Sequence, residues 1–152
     1  MTEEFPQRKK LPHEVPSWVP LHSRYFLTIN AKQRKKNTLC IETVAEYLLN
    51  NMHVYEEQQK WFLHVAIIMP DHLHFIVSFS PECGIQQPVK AWKAFQKKSL
   101  GVSWQSGFFE HRLRNEQEFE AKAQYIRENP VRKGLVKEWS EWPYFWSRYL
   151  DQ

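Results

Sequence analysis

The spacing of apolar residues changes several times along this chain, and each change marks a predicted element. From Arg24 to Asn30 the stretch R-Y-F-L-T-I-N is β-branched and aromatic, which predicts a strand, and the K-Q-R-K-K behind it predicts a solvated basic loop. From Ile41 to Met52 the period lengthens. Ile41, Val44, Ala45, Leu48 and Leu49 recur at steps of three and four, giving one apolar helix face. Trp61 to Met69, W-F-L-H-V-A-I-I-M, is continuously apolar and short, the pattern of a strand covered on both faces. Pro70-Asp71 interrupts it with turn chemistry, so His72 to Phe79 is expected to pair back antiparallel as the second half of a hairpin.

Beyond a proline-containing loop, Val89 to Leu100 reads as a basic helix. Val89, Trp92, Ala94 and Phe95 are its apolar positions and Lys90, Lys93, Lys97 and Lys98 its charged ones. Gly107 to Leu113 is a further strand candidate. Asn115 is placed to cap a helix with Glu118 three residues on, and Pro130 requires that helix to end near Glu128. The order β-α-β-β-α-β-α matches, in its first six elements, a ferredoxin-like split β-α-β sandwich: an α+β fold with helices against an antiparallel sheet. Residues 1–23, with Pro6, Pro12, Pro16 and Pro20 among charges, suit an extended arm. The expected division is thus an arm over 1–23, a single domain over 24–138 and an aromatic, irregular tail over 139–152, consistent with a length of 152 residues.

Composition narrows the partners. Aromatic residues make up 15% of the chain, with seven Trp, enough both to fill a core and to stack on bases. A formal charge of +4 and a pI near 9.1 lean toward polyanions. Cys40 and Cys83 are too few and too far apart for a zinc site or a disulfide framework, which favours a reducing compartment. With no apolar run of signal-peptide or membrane-spanning length, the sequence predicts a cytoplasmic protein without a membrane partner.

The chemistry concentrates at two places. In M-P-D-H-L-H-F-I-V, His72 and His74 stand two apart on a predicted strand, so both imidazoles point to one face. Converging imidazoles suit a divalent ion, although two strand histidines bonded to neighbours would show the same pattern. In Y-I-R-E-N-P, Tyr125 and Asn129 are four apart on one side of a helix. With Phe119, Ala123 and Ile126 on the core stripe, Tyr125 lies roughly 120° from its centre. Tyr125 could equally anchor the helix end, and Asn129 could simply terminate it.

Taken in order, M-P-D-H-L-H-F-I-V, W-Q-S-G-F-F-E-H-R-L-R and Y-I-R-E-N-P-V-R-K-G-L-V resemble the REP-associated tyrosine transposases, in the single-tyrosine branch of the HUH nucleases. The resemblance spans about residues 24–136. It implies that His72 and His74 hold a divalent metal, Mg or Mn, that Asn129 completes the shell, and that Tyr125 is the nucleophile. It further implies cleavage and rejoining of single-stranded DNA beside a hairpin, through a 5′-phosphotyrosine. His111 and Arg112, in the middle motif, would touch metal or DNA, and Lys133 stands where a small residue is common. Lys90, Lys93, Lys97, Lys98, Arg112 and Arg132, with the loop from Lys32 to Lys36, would contact DNA. Trp139, Trp142, Tyr144 and Trp146 could stack on unpaired bases, and Lys122 could add to the field at Tyr125. The working unit would be a monomer or a homodimer. A housekeeping nickase with the same chemistry, a non-catalytic nucleic-acid-binding module and a small metal hydrolase in which Tyr125 is incidental are the rival readings.

Overall fold

The computed structural model describes residues 23–150, so the arm expected over 1–23 falls almost wholly outside the described residues. Five antiparallel strands form one sheet in the order β4-β1-β3-β2-β5. They are β1 (Arg24–Asn30), β2 (Trp61–Ile68), β3 (His72–Phe79), β4 (Phe109–Leu113) and β5 (Phe145–Ser147). The helices are α1 (Glu42–Glu57), α2 (Gln86–Leu100), α3 (Glu116–Arg127) and the single turn α4 (Asn129–Arg132). The first four strands take the split β-α-β order, confirming the expected α+β sandwich.

Every residue of β2 and β3 is buried, as their unbroken apolar runs require. The hairpin between them turns on Pro70-Asp71, closed by Met69 N–H donating to His72 O at 2.8 Å. The turn's own carbonyls are also used: Pro70 O accepts from the N–H groups of Thr38 and Leu39, and Asp71 O from Ala31 N–H. A turn with its backbone satisfied this way holds the first residues of β3 in one place.

The sheet divides the core. On one face Leu27, Ile29, Leu73, Phe75, Val77, Trp61 and Leu63 pack against Ala45, Leu48 and Met52 of α1 and Val89 and Trp92 of α2. On the other, Phe26, Val65, Ile67 and Ile76 pack against Phe119 and Ile126 of α3.

Several elements differ from the sequence reading for physical reasons. Ile41 precedes α1 and is about half exposed, and the helix runs a full turn past Met52. That extra turn is held from afar, since the Glu56 carboxylate accepts from Leu63 N–H at 2.8 Å and pairs with Arg148. In α2 the buried stripe is Val89, Trp92 and Gln96, while Phe95 is 44% exposed. The buried Gln96 donates from Nε2 to Asn51 Oδ1 at 3.1 Å, while its Oε1 has no partner among the described residues. Asn115 caps α3 as expected, with Oδ1 accepting from Glu118 N–H at 2.8 Å. The Glu118 carboxylate reaches Arg114 N–H rather than closing a box on the cap residue.

The C-terminal segment is the largest difference. It is an edge of the sheet instead of an irregular tail: β5 pairs Val65↔Ser147, Ala66↔Trp146 and Ile67↔Phe145 with β2. Arg148 Nε donates to Leu63 O at 2.9 Å, and Tyr149 Oη lies 2.5 Å from His64 Nδ1.

Candidate active site

Strand pairing decides which side chains share a face. Thr28 lies opposite both His74 and Phe109, and Phe26 lies opposite both Ile76 and His111. Since side chains alternate, His72, His74, Thr28, Phe26, Phe109 and His111 all belong to the face that carries α3. The two imidazole centroids are 4.8 Å apart. His72 Nδ1 is 2.7 Å from Asp71 Oδ1, and His74 Nδ1 is 2.9 Å from Thr28 Oγ1. The Asp71 carboxylate can only accept, so His72 carries its proton on Nδ1 and keeps the Nε2 lone pair; His74 does the same when its Nδ1–H donates to the Thr28 hydroxyl, and no described residue bonds to either Nε2.

Asp71 is itself fastened. Its Oδ2 accepts from Arg34 Nε at 2.9 Å and Lys35 N–H at 2.7 Å. Partial burial acts to raise its pKa, but the hydrogen bonds from Arg34, His72 and Lys35 prevail and hold the carboxyl well below its ordinary range. It is therefore an anion facing His72. The His72 pKa is nonetheless lowered, because burial outweighs the pull of Asp71. That of His74 falls to about 3 through burial first, then the charges of His72, Lys122, Arg132 and Lys133. Both rings are neutral at pH 7, the state in which imidazole is a ligand.

His64, buried between Tyr149 and Ser78, is likewise depressed, chiefly by burial. Its two ring nitrogens are both engaged, so it is a structural histidine. Together these three rings set an acid limit on stability. The unfolded chain recovers histidines with pKa near 6.5 and binds more protons than the native state below that pH. Stability should be fully present above pH 6.5 and fall as the pH drops toward 4, with the His74 contribution lost down to about pH 3. Thermal melts at pH 4 to 8 measure this, and a flat profile between pH 6.5 and 4 would contradict it.

Tyr125 projects from α3 at the edge of its buried stripe. Its ring is 5.9 Å from that of His74 and 6.3 Å from that of Phe26, and the residue is 43% exposed. Two cations flank it: Arg132 at 4.1 Å and Lys122 at 5.0 Å from the ring centroid. Arg132 also donates to Tyr125 O at 2.8 Å, folding α4 back against α3. Asn129 begins α4 and is buried, and neither Asn129 nor Tyr125 makes a side-chain hydrogen bond to a described residue. Lys133, which follows α4, is exposed and acts on both His72 and His74.

The other expected DNA contacts are scattered. Helix α2 lies on the opposite sheet face. There Lys93 Nζ donates to Gln105 O and Gly107 O at 2.9 and 2.6 Å, so it tethers a loop rather than standing free for a phosphate. Burial lowers its pKa. With Lys32, Lys97 and Trp104 it lines a basic pocket of about 270 Å³. Lys90 and Lys98 are exposed. Arg112 pairs opposite Tyr25, away from the histidine face, with Nη1 3.5 Å from Ser23 Oγ. The four C-terminal aromatics all contact protein. Trp142 Nε1 donates to Ile68 O at 3.0 Å, Trp146 meets His53 at 4.6 Å, Tyr144 lies 6.0 Å from Trp142, and Trp139 packs on Arg127 and Phe145.

Thr28, Phe26 and Phe109 are members of this face that the sequence did not mark, and Asp71 was marked only as a turn residue. An acid directly before the first histidine was the one available signal.

A sheet-borne histidine pair beside a helix-borne tyrosine and a ring of cations suits the handling of a phosphodiester. The chain belongs to the IS200-like transposases: the family model described as Transposase IS200 like matches residues 22–129. More particularly, it is similar to the REP-associated tyrosine transposase of Escherichia coli strain K12, with 29% identity over 126 residues, covering 79% of this chain and 73% of the relative. A relative in Haemophilus influenzae is 28% identical over 141 residues, covering 79% of this chain and 77% of its own. Among solved structures, a REP-associated tyrosine transposase bound to a REP hairpin superposes with a TM-score of 0.72 at 21% identity, covering 90% of this chain and 81% of the other. At that identity the likeness is one of fold. No described helix is long and apolar enough to cross a membrane.

Proposed function

We propose that the chain cleaves and rejoins single-stranded DNA beside a hairpin, with Tyr125 as nucleophile and His72, His74 and Asn129 holding a divalent metal, Mg or Mn. The observation that carries this reading is the pairing of two neutral, Nε2-free imidazoles with an exposed phenol 5.9 Å from one of them. The donor set fits a divalent ion: two oriented imidazoles, each with an outer partner on Nδ1, and a buried amide. Such an ion would supply Lewis acidity toward the phosphate oxygens.

The rest of the step belongs to the chain. Tyr125 Oη forms a bond to phosphorus while the bond from phosphorus to the 3′ oxygen breaks. The phenolic proton passes to solvent, the departing 3′ oxygen takes one up, and the 5′ side stays joined to Tyr125. Because one phosphodiester replaces another, the reverse attack by a 3′-hydroxyl rejoins a strand without ATP. Arg132 and Lys122, already at the ring, offset the negative charge that develops on the phenol and the phosphate. Phosphate contacts along the strand would come from Lys32, Lys97, Lys90 and Lys98. A hairpin substrate is supported by the ligand of the REP-bound structural neighbour.

The test is incubation with hairpin-bearing single-stranded DNA and Mn, followed by a denaturing gel. A covalent protein–DNA band that chelator removes is expected, and its absence would overturn the reading. The outer partners carry a separate expectation: Asp71→Asn should weaken Mn binding by about 10- to 100-fold, since the His72 ring loses its anionic acceptor. Titration of Mn by calorimetry measures this, and unchanged affinity would remove Asp71 from the role.

A further inference from the structure

Phe109 is a large apolar residue with 56% of its surface exposed, on the same sheet face as the candidate site. A lone exposed phenylalanine is ordinary. This one is not isolated. It meets Phe26 edge-on at 6.2 Å, Phe26 stacks on His74 at 5.1 Å, and Phe26 also meets Tyr125 at 6.3 Å. Lys122 Nζ lies 4.7 Å from the Phe26 centroid and 5.0 Å from that of Tyr125.

The register gives its place more closely. His74, Thr28 and Phe109 stand in one row across β3, β1 and β4, so Phe109 is two strand spacings, roughly 10 Å, from His74 on the same face. Strand β4 is at the edge of the sheet, and Phe109 on it is more than half exposed. Among the described residues the ring rests only its edge on Phe26, since α3 covers the sheet through Phe119 and Ile126 and Phe109 lies outside that buried cluster. An exposed ring on the same face as a phosphate-handling site, with Lys122 and Arg132 at the neighbouring Phe26 and Tyr125 rings, forms the combination that binds unpaired nucleotides, whose bases stack on aromatic faces while lysines and arginines meet the phosphates.

We propose that Phe109 is the stacking platform for an unpaired base adjacent to the scissile phosphate. It thereby fixes which phosphodiester lies under Tyr125. A duplex stem would not use it, because paired bases keep their faces within the stack. The inference rests on the transposase reading, and its test separates the two.

The probe is a hairpin-bearing oligonucleotide with a single-stranded flank, together with a set in which one abasic position moves along that flank. Binding is read by fluorescence anisotropy without added metal, and adduct formation by denaturing gel with Mn, for the unaltered protein, Phe109→Ala and Phe109→Trp. Phe109→Ala should weaken binding of the intact oligonucleotide by about 5- to 150-fold, the range for removing one base–aromatic stack, and Phe109→Trp should restore it. At one flank position the abasic substitution should cost the unaltered protein a similar factor and cost Phe109→Ala nothing more. If Phe109→Ala binds as the unaltered protein does, or if the two losses multiply at every position, Phe109 is not the platform. Melting curves of the variants should coincide, since the side chain is exposed. The adduct formed by the unaltered protein reports on the transposase reading independently, so its absence would indict that reading and leave the binding comparison to judge Phe109.

Discussion

Tyr125→Phe should eliminate the covalent protein–DNA band and reduce strand cleavage by roughly 10⁴-fold or more, the scale of loss when an enzyme's nucleophile is removed with its surroundings intact. The change deletes a single oxygen. That oxygen hydrogen-bonds to no described residue, and the ring is 43% exposed, so its removal opens no cavity and strands no polar partner. The ring contacts to His74, Phe26, Arg132 and Lys122 do not require the hydroxyl. The variant should therefore melt with the unaltered protein and bind the hairpin oligonucleotide equally well. Gels of the two proteins side by side, with binding curves on the same samples, decide the matter. Equal cleavage by both would mean that water or another side chain attacks, making the chain a hydrolytic nuclease in which Tyr125 is incidental.

Nearly as large an effect is expected at the histidines, and it can be read without any DNA. A ligand that binds only the native state at one hundred times its dissociation constant stabilises it by about 2.7 kcal/mol. For a chain of 152 residues that corresponds to a rise in Tm of roughly 5–10 °C on adding Mn. His72→Gln or His74→Gln should abolish the rise and, with it, the metal-dependent adduct. Glutamine is preferred to alanine because both rings are buried, and an alanine at 74 would leave a void beneath Phe26 and an unpaired Thr28 hydroxyl. If Mn still raises Tm in both variants, the ion binds elsewhere and the histidine pair is structural.

The split of roles between Asp71 and Thr28 explains why the two histidines need not respond alike. His72 leans on a carboxylate that Arg34 and Lys35 hold in place, so the basic loop and the site share one anchor. His74 leans on a neutral hydroxyl and is buried more deeply, with four cationic or potentially cationic neighbours. The deeper ring is the one nearer Tyr125, which places the phenol at the drier end of the pair.

Much of this was legible from residue order. The hairpin around Pro70-Asp71, both of its strands, β1 and the Asn115 cap depend on local periodicity and turn chemistry, which covalent neighbours impose. The same holds for Tyr125: a helix ending before Pro130, with Phe119 and Ile126 inward, leaves it at the margin of the buried stripe whatever lies opposite. Ordered motifs also carried the family, because they record the residues of a site even when their contacts are unknown.

Other features depended on partners far along the chain, and no local pattern could supply them. Phe95 is as apolar as its buried neighbours, yet it is exposed because α2 meets the sheet along a stripe that the facing side chains select, and Ile41 is exposed because α1 begins only after it. Residues 145–147 are a strand only because β2 presents an open edge for them. Lys93 is chemically like Lys97 but has carbonyls 12 and 14 positions away within reach. Thr28 and Phe109 join the site through a register set by strands β3, β1 and β4 together. Sequence alone determined the helices and strands that carry the motifs, and which motifs they bear, since those follow from neighbours within a few residues. Only the tertiary structure decided which faces meet, which cations remain free and what stands beside Tyr125, because those depend on pairings whose free energy exists only once the whole sheet is assembled.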